Sequence, residues 1–142
     1  GIEPLGDLEA WAFAGLDGPR MGLGPAYATA RLLDDTGLSL DAFDVVELNE
    51  AFAAQVIANE RAFESKTFAQ EHLDRSKPLG TLDRERLNVN GGAIALGHPL
   101  GGTGSILLTK AVHELERSGK EHALVSMCCG GGIGTGTIIR RG

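Results

Sequence analysis

The sequence has few cysteines, few aromatic residues and no zinc-binding pattern. Its 142 residues include two cysteines, and aromatic residues make up 5% of the chain. Cys128 and Cys129 are adjacent, and neighbouring cysteines rarely form a disulfide because the bond would be strained. No CxxC pair or His/Cys cluster has the spacing of a zinc site. These scarcities exclude a disulfide scaffold and a structural zinc domain, and reduced thiols in an intracellular setting are the simpler interpretation.

Positive charge and long apolar runs are scarce as well. Thirteen Lys and Arg residues stand against nineteen Asp and Glu residues, which gives a net charge of −6. This balance weighs against nucleic acid or an anionic membrane surface as a partner. No apolar run approaches the ~20 residues that span a bilayer, and the N-terminal residues lack the pattern of a signal peptide. We expect a cytoplasmic protein, with an organelle left open, and a domain cut or processed from a longer chain.

Apolar residues make up 42% of the chain, which is enough for one compact domain over residues 1–142. Apolar periodicity and Gly/Pro punctuation predict helices at 24–37, 50–63, 66–74 and 102–119. Strands are predicted at 8–15, 43–49, 87–90, 122–129 and 136–141. This alternation predicts an α/β domain in which a mixed five-stranded sheet carries helices on both faces, in three layers.

Glycine is the abundant residue, and a lone histidine lies inside one of its two dense stretches. Of 21 glycines, most fall within 91–104 and 130–136, and His98 lies in the first stretch between Gly97 and Pro99. His98 is either a turn residue satisfied by its own backbone or a ring held at a strand-end crevice, where it could take a proton from a thiol. The stretch is not a phosphate loop, because Thr103 stands where that motif needs lysine.

Two further candidates follow predicted strands. Cys128 is either a small buried apolar residue or a strand-end thiol beside free backbone amides that could stabilise an oxyanion, and we expect it to be accessible. Cys129 should point to the other face of the strand, and we interpret it as structural. Asn49 either caps the helix predicted at 50–63 or belongs to the site, and both roles are compatible. Together these residues make acyl transfer through a thioester a plausible chemistry.

Three blocks of the sequence resemble the signature blocks of the C-terminal half of the thiolases. They are LNEAFAAQ at 48–55, NVNGGAIALGHPLGGTG at 88–104 and CCGGGIGTG at 128–136. Their order and spacing agree with the family, and the opening GIEPLGDLEAWAFAG resembles the usual start of that half. The resemblance covers nearly the whole chain and implies a thiolase-like C-terminal domain.

The resemblance also implies an activity. Thiolases cleave 3-ketoacyl-CoA with free CoA, as in fatty-acid β-oxidation, or run the reverse Claisen condensation, and they need no metal or redox cofactor. By this resemblance His98 is the base that activates the nucleophile and helps bind the thioester oxygen, and Asn49 holds a water in that oxyanion site. Cys128 is the second, acid/base cysteine, and the N–H of Gly130 is a donor of the second oxyanion hole.

The nucleophilic cysteine of the family belongs to the N-terminal half, and neither cysteine of this chain matches it. We therefore expect the chain to be inactive alone and to need an N-terminal half as partner, with acyl-CoA and CoA as substrates and a dimer or tetramer as the parent assembly. The length of segment 64–86 resembles members that degrade longer 3-ketoacyl-CoAs. The alternative is a half-thiolase that serves as a binding module without chemistry.

Overall fold

Strands and helices alternate along the chain largely as the sequence pattern predicts. The computed structural model describes residues 1–142. Its strands are β1 (Gly6–Gly15), β2 (Val45–Leu48), β3 (His122–Cys129) and β4 (Ile133–Arg141). Its helices are α1 (Gly24–Thr36), α2 (Ala53–Glu64), α3 (Lys66–His72), α4 (Ala93–Leu96) and α5 (Thr103–Ser118). Short 3₁₀ turns occupy Gly18–Leu23 and Leu40–Ala42.

The strands form one mixed sheet in the order β1-β4-β3-β2. β4 pairs antiparallel with both β1 and β3, whereas β2 and β3 are parallel. Helices pack on both faces of the sheet, which confirms the three-layer α/β/α class. Because β2 and β3 are parallel, their carboxyl ends meet at one edge, and the residues that follow them are brought together there.

The sheet has four strands, so the fifth strand predicted at 87–90 is wrong. Only Leu87 forms a bridge, to Val46 of β2. Asn88 has a φ of 48°, in the left-handed region that asparagine tolerates. Its side-chain amide accepts from the N–H of Leu48 and donates to the carbonyl of Leu48, both at 2.9 Å. The Asn88 side chain thus makes the hydrogen bonds to Leu48 that the backbone of a neighbouring strand would make, and the chain turns away from β2.

The helix predicted from residue 50 begins three residues later. Phe52 is its N-cap residue and 72% exposed, and α2 itself starts at Ala53. The backbone N–H of Asn49 donates to the carbonyl of Ser126 at 2.9 Å, which continues the pairing of β2 with β3. No side chain caps α2. The expectation that Asn49 caps this helix is therefore wrong, and its side chain is left for another role.

One face of the sheet is covered by α1, α2 and neighbouring loops, and we call it the closed face. Its core is a cluster of fifteen buried residues from the sheet, α1, α2 and the loops around them. Phe63 of α2 and Phe43 are each 1% exposed, and Leu32 of α1 and Leu124 of β3 are fully buried. Burying one such side chain contributes about 1.5–3 kcal/mol, so this face supplies most of the hydrophobic stabilisation.

The other face is covered by α5 alone, and we call it the open face. Its core has seven buried residues, among them Leu107, Ala111 and Leu115 of α5. Because Ala12 of β1 belongs to the closed-face core, its neighbours Trp11 and Phe13 point to the open face. They are 65% and 61% exposed. The open face therefore carries aromatic surface that nothing in this chain covers.

Candidate active site

Asn49 and His98 meet at the edge where β2 and β3 end. Asn49 directly follows β2, and its side-chain Nδ2 lies 3.5 Å from Nε2 of His98. Asn49 is 3% exposed and His98 is half-buried. An amide nitrogen can only donate, so Nε2 of the neutral ring would accept in this pair. The structure thus brings together two of the four residues that the sequence analysis selected.

Thr103, the first residue of α5, orients the His98 ring. Its Oγ1 lies 2.7 Å from Nδ1 of His98 and donates to the carbonyl of Pro99 at 3.0 Å. A hydroxyl has one proton. Since that proton goes to Pro99, Oγ1 must accept from the ring, and Nδ1 carries the hydrogen. The basic lone pair of the neutral ring is thereby placed on Nε2, which faces Asn49.

The backbone around His98 requires glycine at two positions. Gly97 has a φ of 93°, which residues with a side chain rarely adopt. At Gly92 a Cβ would lie 2.1 Å from the carboxyl carbon of Glu50. That carboxylate accepts from the N–H of Ile94 at 2.9 Å and from the side chain of Asn88 at 3.0 Å. Glycine therefore lets a carboxylate approach and hold residues 88–102, which we call the histidine segment.

Asn49 also presents an unpartnered acceptor. Its Oδ1 is buried and has no hydrogen-bond partner within the chain. A buried polar atom left unpaired costs about 1–3 kcal/mol, so such atoms usually bind water or a ligand. The Oδ1 atom next to the His98 ring is thus a place where a water molecule or a substrate donor would bind.

Cys128 is buried rather than accessible as the sequence analysis expected. It is 7% exposed, and burial raises the pKa of its thiol above the ordinary value. Along β3, Val125 and Met127 pack with the α5 core, whereas Leu124 belongs to the closed-face core. Because strand residues alternate between faces, Cys128 lies on the closed face with Leu124. The half-buried Cys129 lies on the opposite face, which α5 covers. Neither thiol hydrogen-bonds to His98 or Asn49 in this structure.

Gly130 begins the turn that joins β3 to β4. The residue is exposed, and its N–H makes no backbone hydrogen bond. Nothing lies within 4 Å of where its Cβ would be, so this glycine is not required by packing inside the chain. This free amide, two residues after Cys128, is available to an incoming oxygen atom.

A sizeable cavity of the chain lies apart from these groups. It measures about 510 Å³ and runs between α2 and the histidine segment, with Val56, Ile57 and Ile94 among its lining residues. Neither His98 nor Cys128 lines it. No three His, Cys, Asp or Glu side chains are grouped so that they could hold a metal ion. None of the helices has the length and apolar character needed to cross a membrane.

Sequence reasoning missed Thr103 and Glu50 as supporting residues. Thr103 was considered only as the residue that rules out a phosphate loop, and Glu50 only as the start of a helix. The available signal was spacing: Thr103 lies five residues after His98 at a helix start, and Glu50 directly follows Asn49. Their partners are 5 and 44 residues away in the chain, so only the tertiary structure shows the second contact.

The sheet order and the His98–Asn49 pair define a class of protein: an α/β domain that presents polar side chains at the carboxyl ends of parallel strands. The thiolase C-terminal domain family matches residues 2–141. The chain belongs to this family.

Similar proteins support the same assignment. The 3-ketoacyl-CoA thiolase of Photobacterium profundum is 42% identical over 140 residues, which are 98% of this chain and 32% of that protein. The one from Erwinia tasmaniensis is 44% identical over the same shares. Crystal structures of Bacillus anthracis acetyl-CoA acetyltransferase and of human mitochondrial 3-ketoacyl-CoA thiolase in complex with CoA superpose with TM-scores of 0.83. Their identities are 40% and 44%, each over 99% of this chain and 31% of theirs. The chain thus spans about a third of the length of these relatives.

Proposed function

We propose that this chain is the catalytic C-terminal half of a thiolase that acts on 3-ketoacyl-CoA. It would supply the base, the acid/base thiol and part of two oxyanion sites, while an N-terminal half supplies the nucleophilic cysteine. The observation that carries the proposal is the His98 ring, whose Nδ1 is bound to Thr103 at 2.7 Å, which places the lone pair of the neutral ring on Nε2 beside Asn49. A lone pair on Nε2 is what a base acting on a thiol needs.

In thiolysis, Nε2 of His98 takes the proton of the nucleophilic thiol, and the thiolate adds to the keto carbon of the substrate. The bond between the keto carbon and the α-carbon then breaks, and the acyl group stays on the sulfur. The leaving acetyl-CoA carbanion takes the proton of Cys128. The thiol of CoA then gives its proton to the Cys128 thiolate and adds to the acyl group. The released nucleophile regains its proton from His98.

The environments of the four residues support these roles. Burial raises the pKa of Cys128, so its thiol stays protonated at neutral pH and can donate a proton to a carbanion. A water bound to the unpartnered Oδ1 of Asn49 would help Nε2 of His98 to stabilise an oxyanion. The free N–H of Gly130 would do the same for the second thioester oxygen.

The test is thiolysis of acetoacetyl-CoA and of a longer 3-ketoacyl-CoA by this chain alone, and by the chain combined with a thiolase N-terminal half. We expect activity only in the combination, and the preferred substrate then gives the acyl chain length. An inactive combination of folded, associated halves would favour a non-catalytic binding module. Activity of the chain alone would show that the nucleophile is misassigned.

The parent is expected to be a homo-oligomer, a dimer or tetramer, in the cytoplasm or an organelle. Light scattering of the combined halves would test the first expectation. The open-face residues Trp11 and Phe13 offer a surface for the N-terminal half, because they are exposed aromatic side chains that nothing in this chain covers. If these side chains stay exposed when the halves combine, the N-terminal half binds elsewhere.

A further inference from the structure

A buried ion pair lies behind the Asn49–His98 pair, and neither residue was selected from the sequence. Glu47, in the middle of β2, is fully buried, and its Oε2 lies 2.7 Å from Nζ of Lys110 in α5. The Lys110 side chain is 15% exposed. Its Nζ also donates to the backbone carbonyl of Gly91, in the histidine segment. The pair thus connects the sheet, the central part of α5 and the backbone seven residues before His98.

Such a pair is not explained by stability alone. Removing two charges from water is costly, and a buried ion pair is often no more stabilising than apolar residues of the same size. Here the cost of burying the carboxylate is only partly offset, because Oε1 of Glu47 has no hydrogen-bond partner. Burial accordingly raises the pKa of Glu47 in spite of its bond to Lys110. The third contact, from Lys110 to Gly91, gives the pair a function that an apolar replacement would lose.

The positions of the charged residues relate directly to the site. Glu47 and Asn49 are two residues apart at the end of β2, so both side chains lie on the open face. Thr103 and Lys110 are seven residues apart, about two turns, and therefore share one side of α5. Thr103 holds the His98 ring, and Lys110 holds the backbone at the start of the same segment. The segment is fixed at both of these points to a single helix.

We propose that Lys110, held in place by Glu47, is a positioning residue that sets the location of His98 relative to Asn49. It does so by binding the carbonyl of Gly91 and thereby fixing the histidine segment to α5. The inference deepens the proposed function, and its catalytic consequence rests on that function. The placement of the ring can be measured without any activity.

The test compares two variants that leave no unpaired carboxylate in the core. In Glu47→Gln the side-chain amide oxygen can still accept from Lys110, and the contact with Gly91 remains. In the double variant Glu47→Gln/Lys110→Met the contact is lost and no charge is buried. Lys66→Met, at an exposed position of α3, controls for the change of side chain. The single variant Lys110→Met is avoided because it would leave Glu47 charged and unpaired.

Two measurements on this chain test whether Lys110 positions His98. The first is amide hydrogen exchange of residues 91–97. The second is the ¹⁵N chemical shifts of the His98 ring, which are assigned by their loss in His98→Ala. In the double variant we expect exchange of this segment to be about tenfold faster or more, with the β3–β4 amides unchanged. The ring signals should move toward those of a mixed tautomer. Glu47→Gln and Lys66→Met should resemble the unmodified chain. Equal exchange and equal ring signals in the double variant and Glu47→Gln would overturn the proposal.

Activity of the chain combined with an N-terminal half gives a separate readout. Misplacing a base without removing it should lower kcat by about 10- to 100-fold with little change in KM. A rise in KM alone would contradict a positioning role. If the unmodified combination shows no thiolysis, the proposed function fails, while the exchange and ring measurements still decide whether Lys110 positions His98.

Discussion

The two faces of the sheet differ in how completely this chain covers them. The closed face buries fifteen residues under α1, α2 and the loops around them, whereas the open face buries seven under α5. On the closed face Phe43 and Phe63 are 1% exposed, but on the open face Trp11 and Phe13 are 65% and 61% exposed. Aromatic side chains of the same kind are thus core on one side and surface on the other.

The polar residues around His98 lie on the other side of the sheet from this larger core. Asn49, the His98 ring and Thr103 belong to the open face or its edge, where α5 begins. The closed face is dominated by apolar contacts within the chain. The difference teaches that the closed face holds most of the hydrophobic core of this chain, while the open face holds the His98–Asn49 pair and leaves apolar surface uncovered. The predictions below test this division, beginning with the largest effect.

The largest effect is expected for His98→Ala in the chain combined with an N-terminal half. Acylation of the nucleophilic cysteine by an acyl-CoA should fall by about 10⁴-fold, because the base is gone. Stability of the chain should hardly change, since the ring is half-buried at the edge of the open face. Mass spectrometry of the acylated N-terminal half measures the first quantity and urea unfolding the second. Normal labelling would remove His98 from the mechanism.

Cys128→Ala tests whether chemistry is confined to the open face, because Cys128 follows the alternation of the closed face. The variant should still be acylated, but exchange of the substrate α-proton should fall by about 10²–10⁴-fold, since the acid/base thiol is lost. Cys129→Ala is the matched control and should keep the exchange. The reverse result in ²H-exchange NMR would assign the role to Cys129, the neighbour on the side of α5.

Phe63→Ala tests the closed face. The free energy of unfolding should fall by about 3–5 kcal/mol, because the ring is fully enclosed and leaves a cavity. Trp11→Ala, the matched change on the open face, should alter it by less than about 0.5 kcal/mol in the chain alone. Urea unfolding measures both. Equal losses for the two variants would break the distinction between the faces.

Thr103→Val removes the hydroxyl that orients the His98 ring and keeps the size of the side chain. Thiolysis by the combined halves should fall by about 10- to 100-fold, because the ring can adopt the other tautomer. Thr103→Ser restores the hydroxyl and should recover most of the activity. If the valine and serine variants are equally active, Nδ1 does not need this partner.

The smallest effect is expected for Glu114→Gln, which bears on how α5 holds the histidine segment. Hydrogen bonds from Arg117 and Asn90 lower the pKa of Glu114 from 4.5 to about 2. A lowered pKa means that the stabilisation is present above pH 4.5 and is lost as the pH falls toward 2. The variant should cost about 1 kcal/mol at pH 7, since Arg117 is largely exposed. A difference that persists undiminished at pH 2 would contradict this origin.

Much of the fold was predictable because its signals are local. Pro25 in the first turn of α1 and Gly119 after α5 mark helix ends that the structure reproduces. The prediction of a strand at 87–90 was wrong because of a tertiary contact: the Asn88 side chain hydrogen-bonds to Leu48, forty residues away. The predicted start of α2 was wrong because the backbone of Asn49 continues the β2–β3 pairing and its side chain does not cap the helix.

By itself, the sequence determined the α/β class and the family and singled out the residues proposed to carry the chemistry, because these depend on periodicity and on motifs of contiguous residues. Only the tertiary structure decided which atom of His98 is basic, where Glu50 binds and why Glu47 is paired with Lys110. Those facts depend on contacts between β2, the histidine segment and α5, which are far apart in the chain. A hydrogen bond across such a distance leaves no periodic pattern in the sequence.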